Sequence, residues 1–267
     1  MANLDGMIAT VIREGYSQAN AAARVCQDIV LKAISKSSFA DHITVKGGVV
    51  MRSITGDARR ATQDMDLDFI RYSLEEESIR RFIGRLNCLD GISIRISAPI
   101  EELSQQEYHG KRVFVIIEDD TGHSLRSKID LGVHKQVQIE QDEYCFDVCM
   151  DDEGVSLLIN SREQIFTEKL RSLLKFGPLS TRYKDIFDMC YLSSQVQRDR
   201  LMRYLDTYIF EDPGMLERSI SDIRNRVQRT FGNRAYRQRL ERSGSANWMG
   251  ITPAEAMKTI EDFLGSI

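Results

Sequence analysis

The sequence predicts an α+β half followed by an all-helical half. Three observations carry this expectation. Residues 64–69, Asp64-Met65-Asp66-Leu67-Asp68-Phe69, alternate acidic and apolar side chains with the two-residue period of a β-strand. Further strand-like runs lie between residues 92 and 150, separated by turn-rich pieces such as Asp119-Asp120-Thr121-Gly122, the pattern of antiparallel hairpins. Beyond about residue 157 nearly every stretch has the spacing of amphipathic helices. The seam there gives two domains, 1–156 and 157–267.

The elements follow in order. Residues 6–37 read as helical through Ile8, Val11, Ile12, Ala22, Val25, Ile29, Val30 and Ala33, with a break between Gly15 and Ser17. A short strand at 43–45 runs through Lys46-Gly47-Gly48 into a helix over 49–54. Residues 56–63 form a loop, and the acidic strand spans 65–70. Ser73 and Glu76 read as a capping box opening a helix to residue 89. Strands are expected at 92–96, 112–117, 125–133 and 145–150, then helices at 162–175, 182–195, 197–209, 215–229 and 253–264. Ser161 with Gln164 marks the start of the first of these helices. Thr252, Pro253 and Glu255 mark the start of the last.

The chain has 267 residues, enough for a sizeable core, with 42% hydrophobic and 28% charged residues. A net charge of −4 argues against polyanion binding by bulk electrostatics. No signal peptide and no membrane span are expected. Five cysteines without a CxxC pair favour reduced thiols in a cytoplasmic protein over a disulfide framework. The histidines, His42, His109, His123 and His134, are too scattered to suggest a zinc site.

On the acidic strand Met65, Leu67 and Phe69 would face a core, crowding Asp64, Asp66 and Asp68 on the other face. Either a hard divalent cation offsets their repulsion or the strand is an edge with one solvated face. Gly47-Gly48 is either a plain turn or a phosphate cradle at a helix N-terminus. Asp130 alternates with Ile129 and Leu131, so it would join Asp64 and Asp66 if its strand pairs beside theirs. Lys169 interrupts an apolar helical stripe of Ile165, Phe166, Leu170, Leu173 and Leu174; it either snorkels or meets a triphosphate. Asp185 and Asp188 either serve a metal or nucleotide or pair with Arg182 and Lys184.

Eight arginines against Asp222 and Glu241 leave +6 on residues 218–242 of an acidic chain. Phe231 and Tyr236 interleave with them, which suits either phosphate contacts with base stacking or a solvated helical surface.

Together these residues resemble the AbiEii/AbiGii-type nucleotidyltransferase toxins of bacteria, a branch of the DNA polymerase β-like nucleotidyltransferase superfamily. The resemblance covers about residues 40–195. It rests on Lys46-Gly47-Gly48, on Arg60-Ala61-Thr62-Gln63-Asp64-Met65-Asp66-Leu67, on Lys128-Ile129-Asp130, on Glu168-Lys169-Leu170 and on Tyr183-Lys184-Asp185-Ile186-Phe187-Asp188. Two departures stand out. Val49 replaces the Thr or Ser that often follows the glycines, and Lys184 replaces Arg before Asp185.

The resemblance implies a mixed sheet with flanking helices followed by a C-terminal helical bundle. It implies transfer of a nucleotide from an NTP to an acceptor with Mg²⁺, or Mn²⁺ in its place. It further implies a toxin with a cognate antitoxin, and RNA, in the form of tRNA, as acceptor. Asp64, Asp66 and Asp130 would hold metal, and Asp64, Asp66, Lys169 and Asp185 would form the catalytic set. Lys46, Gly47, Gly48, Arg60, Thr62 and Lys169 would bind nucleotide, and Arg224, Arg226, Arg229 and Arg234 would bind nucleic acid. The alternatives are the same transfer onto a small molecule or protein, or a non-catalytic NTP-binding module.

Overall fold

A computed structural model describes residues 3–103, 110–134 and 141–267; His109 lies outside them. The chain divides into two compact units, Met1–Asn160 and Ser161–Ile267.

The first unit begins with helices α1 (Leu4–Arg13) and α2 (Gln18–Lys36). They separate at the expected break, where Gly15 adopts a positive φ and the Ser17 hydroxyl caps α2. Strand β1 (Ile43–Lys46) turns directly into α3 (Gly47–Thr55), and β2 (Met65–Phe69) follows. Next come α4 (Glu76–Arg85), β3 (Ile92–Ile96), β4 (Glu101–Leu103), β5 (Gly110–Asp119), β6 (Ser124–Val133), β7 (Asp142–Val148) and β8 (Asp151–Ile159).

The strands form one mixed sheet in the order β3-β5-β6-β2-β1-β8-β7, with β4 also paired to β5. β2 runs antiparallel to β1 and parallel to β6, while β8 runs parallel to β1. The β5–β6 and β7–β8 pairs are the expected hairpins. Met65, Leu67 and Phe69 are buried on the core side with Val45, Ile129 and Leu131. Phe69 also joins Phe39, Tyr72 and Phe82 in an edge-to-face cluster with ring centroids 5.0 to 5.3 Å apart.

Three expectations change in this unit. Strand β8 is absent from the sequence reading because it opens with Asp151-Asp152-Glu153-Gly154, residues depleted in strands; its alternation starts only at Val155, Leu157 and Ile159. Ser73 does not cap α4. Its hydroxyl instead accepts from Glu75 N at 3.0 Å in a local turn, and the helix starts with Glu75 as N-cap. That helix also ends at Arg85, short of residue 89.

The second unit is helical: α5 (Arg162–Phe176), α6 (Tyr183–Leu192), α7 (Arg198–Leu205), α8 (Ile220–Gly232), α9 (Arg234–Arg242) and α10 (Pro253–Ser266). A π-helical turn, Asp206–Phe210, extends α7. Ser161 Oγ accepts from Gln164 N at 3.1 Å and donates to the Tyr204 hydroxyl at 2.9 Å. Gly177, at φ 51°, ends α5. Phe166, Leu170, Ile186, Phe187, Leu201, Val227 and Ile260 build the core.

Helix α8 starts five residues later than expected, at Ile220, because Ser219 supplies its cap. Helix α9 is missed in sequence because Tyr236 and Leu240 are its only buried side chains; Asn233 both ends α8 and caps α9. The Thr252–Glu255 capping box forms in full. Thr252→Ala therefore lowers unfolding stability by about 1 kcal/mol, checked by urea denaturation followed by circular dichroism.

Candidate active site

Pairing of the strands sets one row of charged residues across the sheet. Lys46 on β1 stands opposite Asp66 on β2, Asp66 opposite Asp130 on β6, Asp130 opposite Arg112 on β5, and Arg112 opposite Glu101 on β4. Because β2 and β6 are parallel and in register, Asp66 and Asp130 are direct lateral neighbours. The structure thus brings together two of the three expected metal ligands, and Asp64 precedes them at the start of the strand.

Cations hold the flanking acids. Lys128 Nζ lies 2.6 Å from Asp64 Oδ1, and Lys46 Nζ lies 2.6 Å from Asp68 Oδ1. Arg112 grips Asp130 with both prongs, Nε to Oδ1 at 2.7 Å and Nη2 to Oδ2 at 2.8 Å. Those bonds, with Asp64 and Glu101 adding, keep the Arg112 guanidinium charged. Among the described residues no hydrogen bond or ion pair ends on Asp66. Burial above all, with Asp130, Asp64 and Asp68 adding and Lys46 opposing, pushes its carboxyl up to about 6.

The sequence assigns no role to Arg112 or to Lys128, although Lys128 stands in one of the motif blocks. The available signal was a basic residue at the polar phase of an alternating strand, which gains meaning only once the strand neighbours are known.

Glycines make room for this arrangement. Gly47 has φ +65°, and a methyl group there would overlap Asp66 Oδ2. A Cβ on Gly48 would stand 2.5 Å from Thr62 Oγ1, so the hydroxyl expected near the nucleotide packs onto the first turn of α3. Gly132 leaves space for the Lys46–Asp68 pair. The α3 N-terminus carries no side-chain cap, which leaves its amides facing outward from the turn. Arg60, expected on the nucleotide, is 3% exposed.

The donors are all carboxylate oxygens, and a lateral Asp pair with Asp64 nearby suits a hard divalent cation, which typically uses one or two carboxylates. No group of three or more His, Cys, Asp or Glu side chains among the described residues stands in a metal-holding arrangement. The Lys and Arg partners account for this, since each draws one acid toward itself. The residues therefore fit such an ion once a partner yields its carboxylate.

In the helical unit Lys169 lies 2.6 Å from Asp185 Oδ1 and 2.8 Å from Asp188 Oδ2. Asp188 is fully buried and also accepts from Trp248 Nε1 at 3.0 Å. The lysine on the apolar stripe is thus explained by two carboxylates from α6 rather than by snorkelling.

Arg224, Arg229 and Arg234 are exposed, whereas Arg226 is half-buried and its Nε donates to Leu174 O at 3.0 Å at the end of α5. Arg218 and Arg239 likewise donate to backbone carbonyls, those of Phe210 and Pro178 among others. Phe231 and Tyr236 do not meet the expectation of base stacking. They are 4% and 0% exposed and form the packing between α8 and α9.

Two outcomes follow. The raised Asp66 pKa means that its ionised form costs stability above pH 6, and this cost fades as pH falls toward the ordinary value of 3.8. Asp66→Asn therefore stabilises the metal-free protein by about 1–3 kcal/mol at pH 8 and by almost nothing at pH 4, measured by urea titration at both pH values. Gly47→Ala meets both a positive φ and the Asp66 carboxylate, so it lowers unfolding stability by about 1 kcal/mol or more, read by a thermal melt.

The family model described as nucleotidyl transferase AbiEii toxin, type IV toxin–antitoxin system, matches residues 29–248. Among solved structures, an antigenic nucleotidyltransferase-like protein from Paracoccidioides brasiliensis is similar at 15% identity and a TM-score of 0.42, over 69% of this chain and 86% of that one. No curated protein matches. The family match runs from within α2 to beyond α9 and takes in the glycine turn, both strands of the Asp row and the Lys169 helix; the chain belongs to the AbiEii nucleotidyltransferase toxin family and is a nucleotidyltransferase.

Proposed function

We propose that this nucleotidyltransferase moves a nucleotide from an NTP onto RNA, with the end of a tRNA as acceptor, in the cytoplasm, and that a cognate antitoxin restrains it. The observation that carries the reading is the Asp66–Asp130 pair at one level of neighbouring parallel strands, next to the glycine turn into α3. Nucleotidyl transfer asks a protein mainly to position phosphates and neutralise charge. In this reading Asp64, Asp66 and Asp130 hold Mg²⁺, or Mn²⁺ in its place. Such a cation supplies charge neutralisation on the phosphates and activation of the attacking oxygen.

The Gly47 and Gly48 amides at the start of α3 receive phosphate oxygens, and Lys46, Arg60 and Thr62 complete the nucleotide side. Motif resemblance assigns Lys169 to the triphosphate and Asp185 to the catalytic set. Lys169 then exchanges carboxylate for phosphate oxygens. Arg224, Arg229 and Arg234 supply exposed positive charge for an RNA backbone, with Arg226 beside them. No helix among the described residues is long and apolar enough to cross a membrane.

Incubation with each labelled NTP, Mg²⁺ and total tRNA tests the reading. Incorporation from at least one NTP is expected, and Asp66→Asn lowers it by on the order of 100-fold or more. No incorporation from any of the four, or equal incorporation by Asp66→Asn, refutes it. Reversing the charge at Arg224, Arg229 and Arg234 weakens RNA binding and flattens its salt dependence by about one unit of slope per lost phosphate contact. Activity untouched by that reversal points instead to a small-molecule or protein acceptor.

A further inference from the structure

Asp64 sits outside the sheet ladder, whose pairing on β2 begins at Met65. Hydrogen bonds between strands therefore do not fix the backbone that carries this carboxylate. A buried side chain reaches it instead. Gln27, on α2 and 1% exposed, donates from Nε2 to Thr62 O at 3.0 Å and toward Asp64 O at 3.4 Å. One amide group thus bridges the carbonyls on either side of Gln63. Gln63 in turn reaches back to the same helix, with Nε2 donating to Asn20 Oδ1 at 2.6 Å. The Thr62 side chain packs onto Gly48 at the start of α3.

The next residue of α2, Asp28, anchors the same helix α3 through Arg52, whose Nη2 lies 3.0 Å from Asp28 Oδ1; it also accepts from Cys149 N at 3.1 Å. Gln27, Asp28 and Arg52 are buried, and all of these groups lie within one unit. Neighbouring positions of α2 therefore tie down both the segment that delivers Asp64 and the helix whose first turn that segment touches.

We propose that Gln27 is a positioning residue for the site. Its carboxamide holds the Thr62–Asp64 backbone so that the Asp64 carboxylate stays at a fixed place beside Asp66 and the glycine turn. Gln27 touches neither nucleotide nor metal; it acts through Asp64. The inference rests on the metal-binding reading of Asp64 proposed above. Sites of this kind tolerate displacements of only about half an ångström, which makes a second tether at the unpaired end of β2 consequential. The role is separable from packing, because Gln27 Oε1 is buried with no hydrogen-bond partner among the described residues. Gln27→Met thus removes the donor, keeps the volume and relieves a buried unpaired acceptor. Gln27 also lies before the segment matched by the family model, which starts at residue 29.

The test uses the full chain, Mn²⁺ alone as a paramagnetic probe, and amide hydrogen exchange over residues 60–66. In Gln27→Met, Mn²⁺ affinity falls about tenfold and exchange in that segment quickens about tenfold, while exchange in β6 is unchanged. Gln27→Asn, too short to reach both carbonyls, gives the same two effects and serves where the Met variant fails to fold. Mn²⁺ affinity within twofold of the unsubstituted protein overturns the proposal, whether or not the segment loosens. If the unsubstituted protein binds no Mn²⁺, the metal reading fails. Exchange over 60–66 then decides the tether on its own, quickened exchange upholding it and unchanged exchange overturning it.

Discussion

Two carboxylates, Asp66 and Asp130, are held side by side by parallel strands, and the packing beneath those strands enforces the crowding. Neither strand can slip by one residue to separate them. Such a slip would turn Met65, Leu67, Phe69, Ile129 and Leu131 toward solvent. Burial of those five side chains contributes on the order of 10 kcal/mol. Two like charges at the spacing of neighbouring strands cost roughly 3 kcal/mol at an effective dielectric constant near 20. The apolar face therefore dictates the register, and the polar face accepts the crowding. Lys46, Lys128 and Arg112 each draw off one of the surrounding acids, and the strain concentrates on Asp66, whose carboxyl resists ionisation.

That concentration of charge is useful in a nucleotidyltransferase. On the proposed reading, a group that is costly to ionise when alone gains most from a cation, so such a site would favour being filled. The glycines belong to the same economy of space. Side chains at Gly47 and Gly132 would displace Asp66 and Asp68, respectively, and the row of acids would lose its spacing. The Lys169–Asp185–Asp188 cluster repeats the principle in the helical unit, where one cation is bracketed by two acids on neighbouring turns of α6.

Much of this was legible in the sequence because periodicity and caps are local. Strict alternation through Met65, Leu67 and Phe69 gave β2, and Thr252, Pro253 and Glu255 gave the start of α10. Alternation puts Asp130 on the polar phase of its strand, and the β2–β6 pairing then places it beside Asp66. What stayed hidden depends on partners far along the chain. Arg112 acquires its role only across the β5–β6 pair, and Gln27 only by reaching carbonyls 35 and 37 positions away. Strand β8 was masked by its acidic, glycine-containing start, although its pairing with β1 helps place the Lys46 turn. The aromatics among the arginines misled for the opposite reason. Tyr236 and Phe231 occupy helical positions that suit a core as well as a stacking surface, and packing decided between them.

The arginine-rich segment has an unequal membership. Arg218, Arg226 and Arg239 donate to main-chain carbonyls near the ends of helical segments, so their charge is committed to holding the helical unit together. An alanine scan across the segment would thus mix two kinds of defect. A loss at Arg226 reports frayed architecture at the close of α5. On the proposed reading the exposed Arg224, Arg229 and Arg234 gauge how strongly a polyanion is held, although Arg229 also donates from Nε to Asn225 O at 3.2 Å within α8.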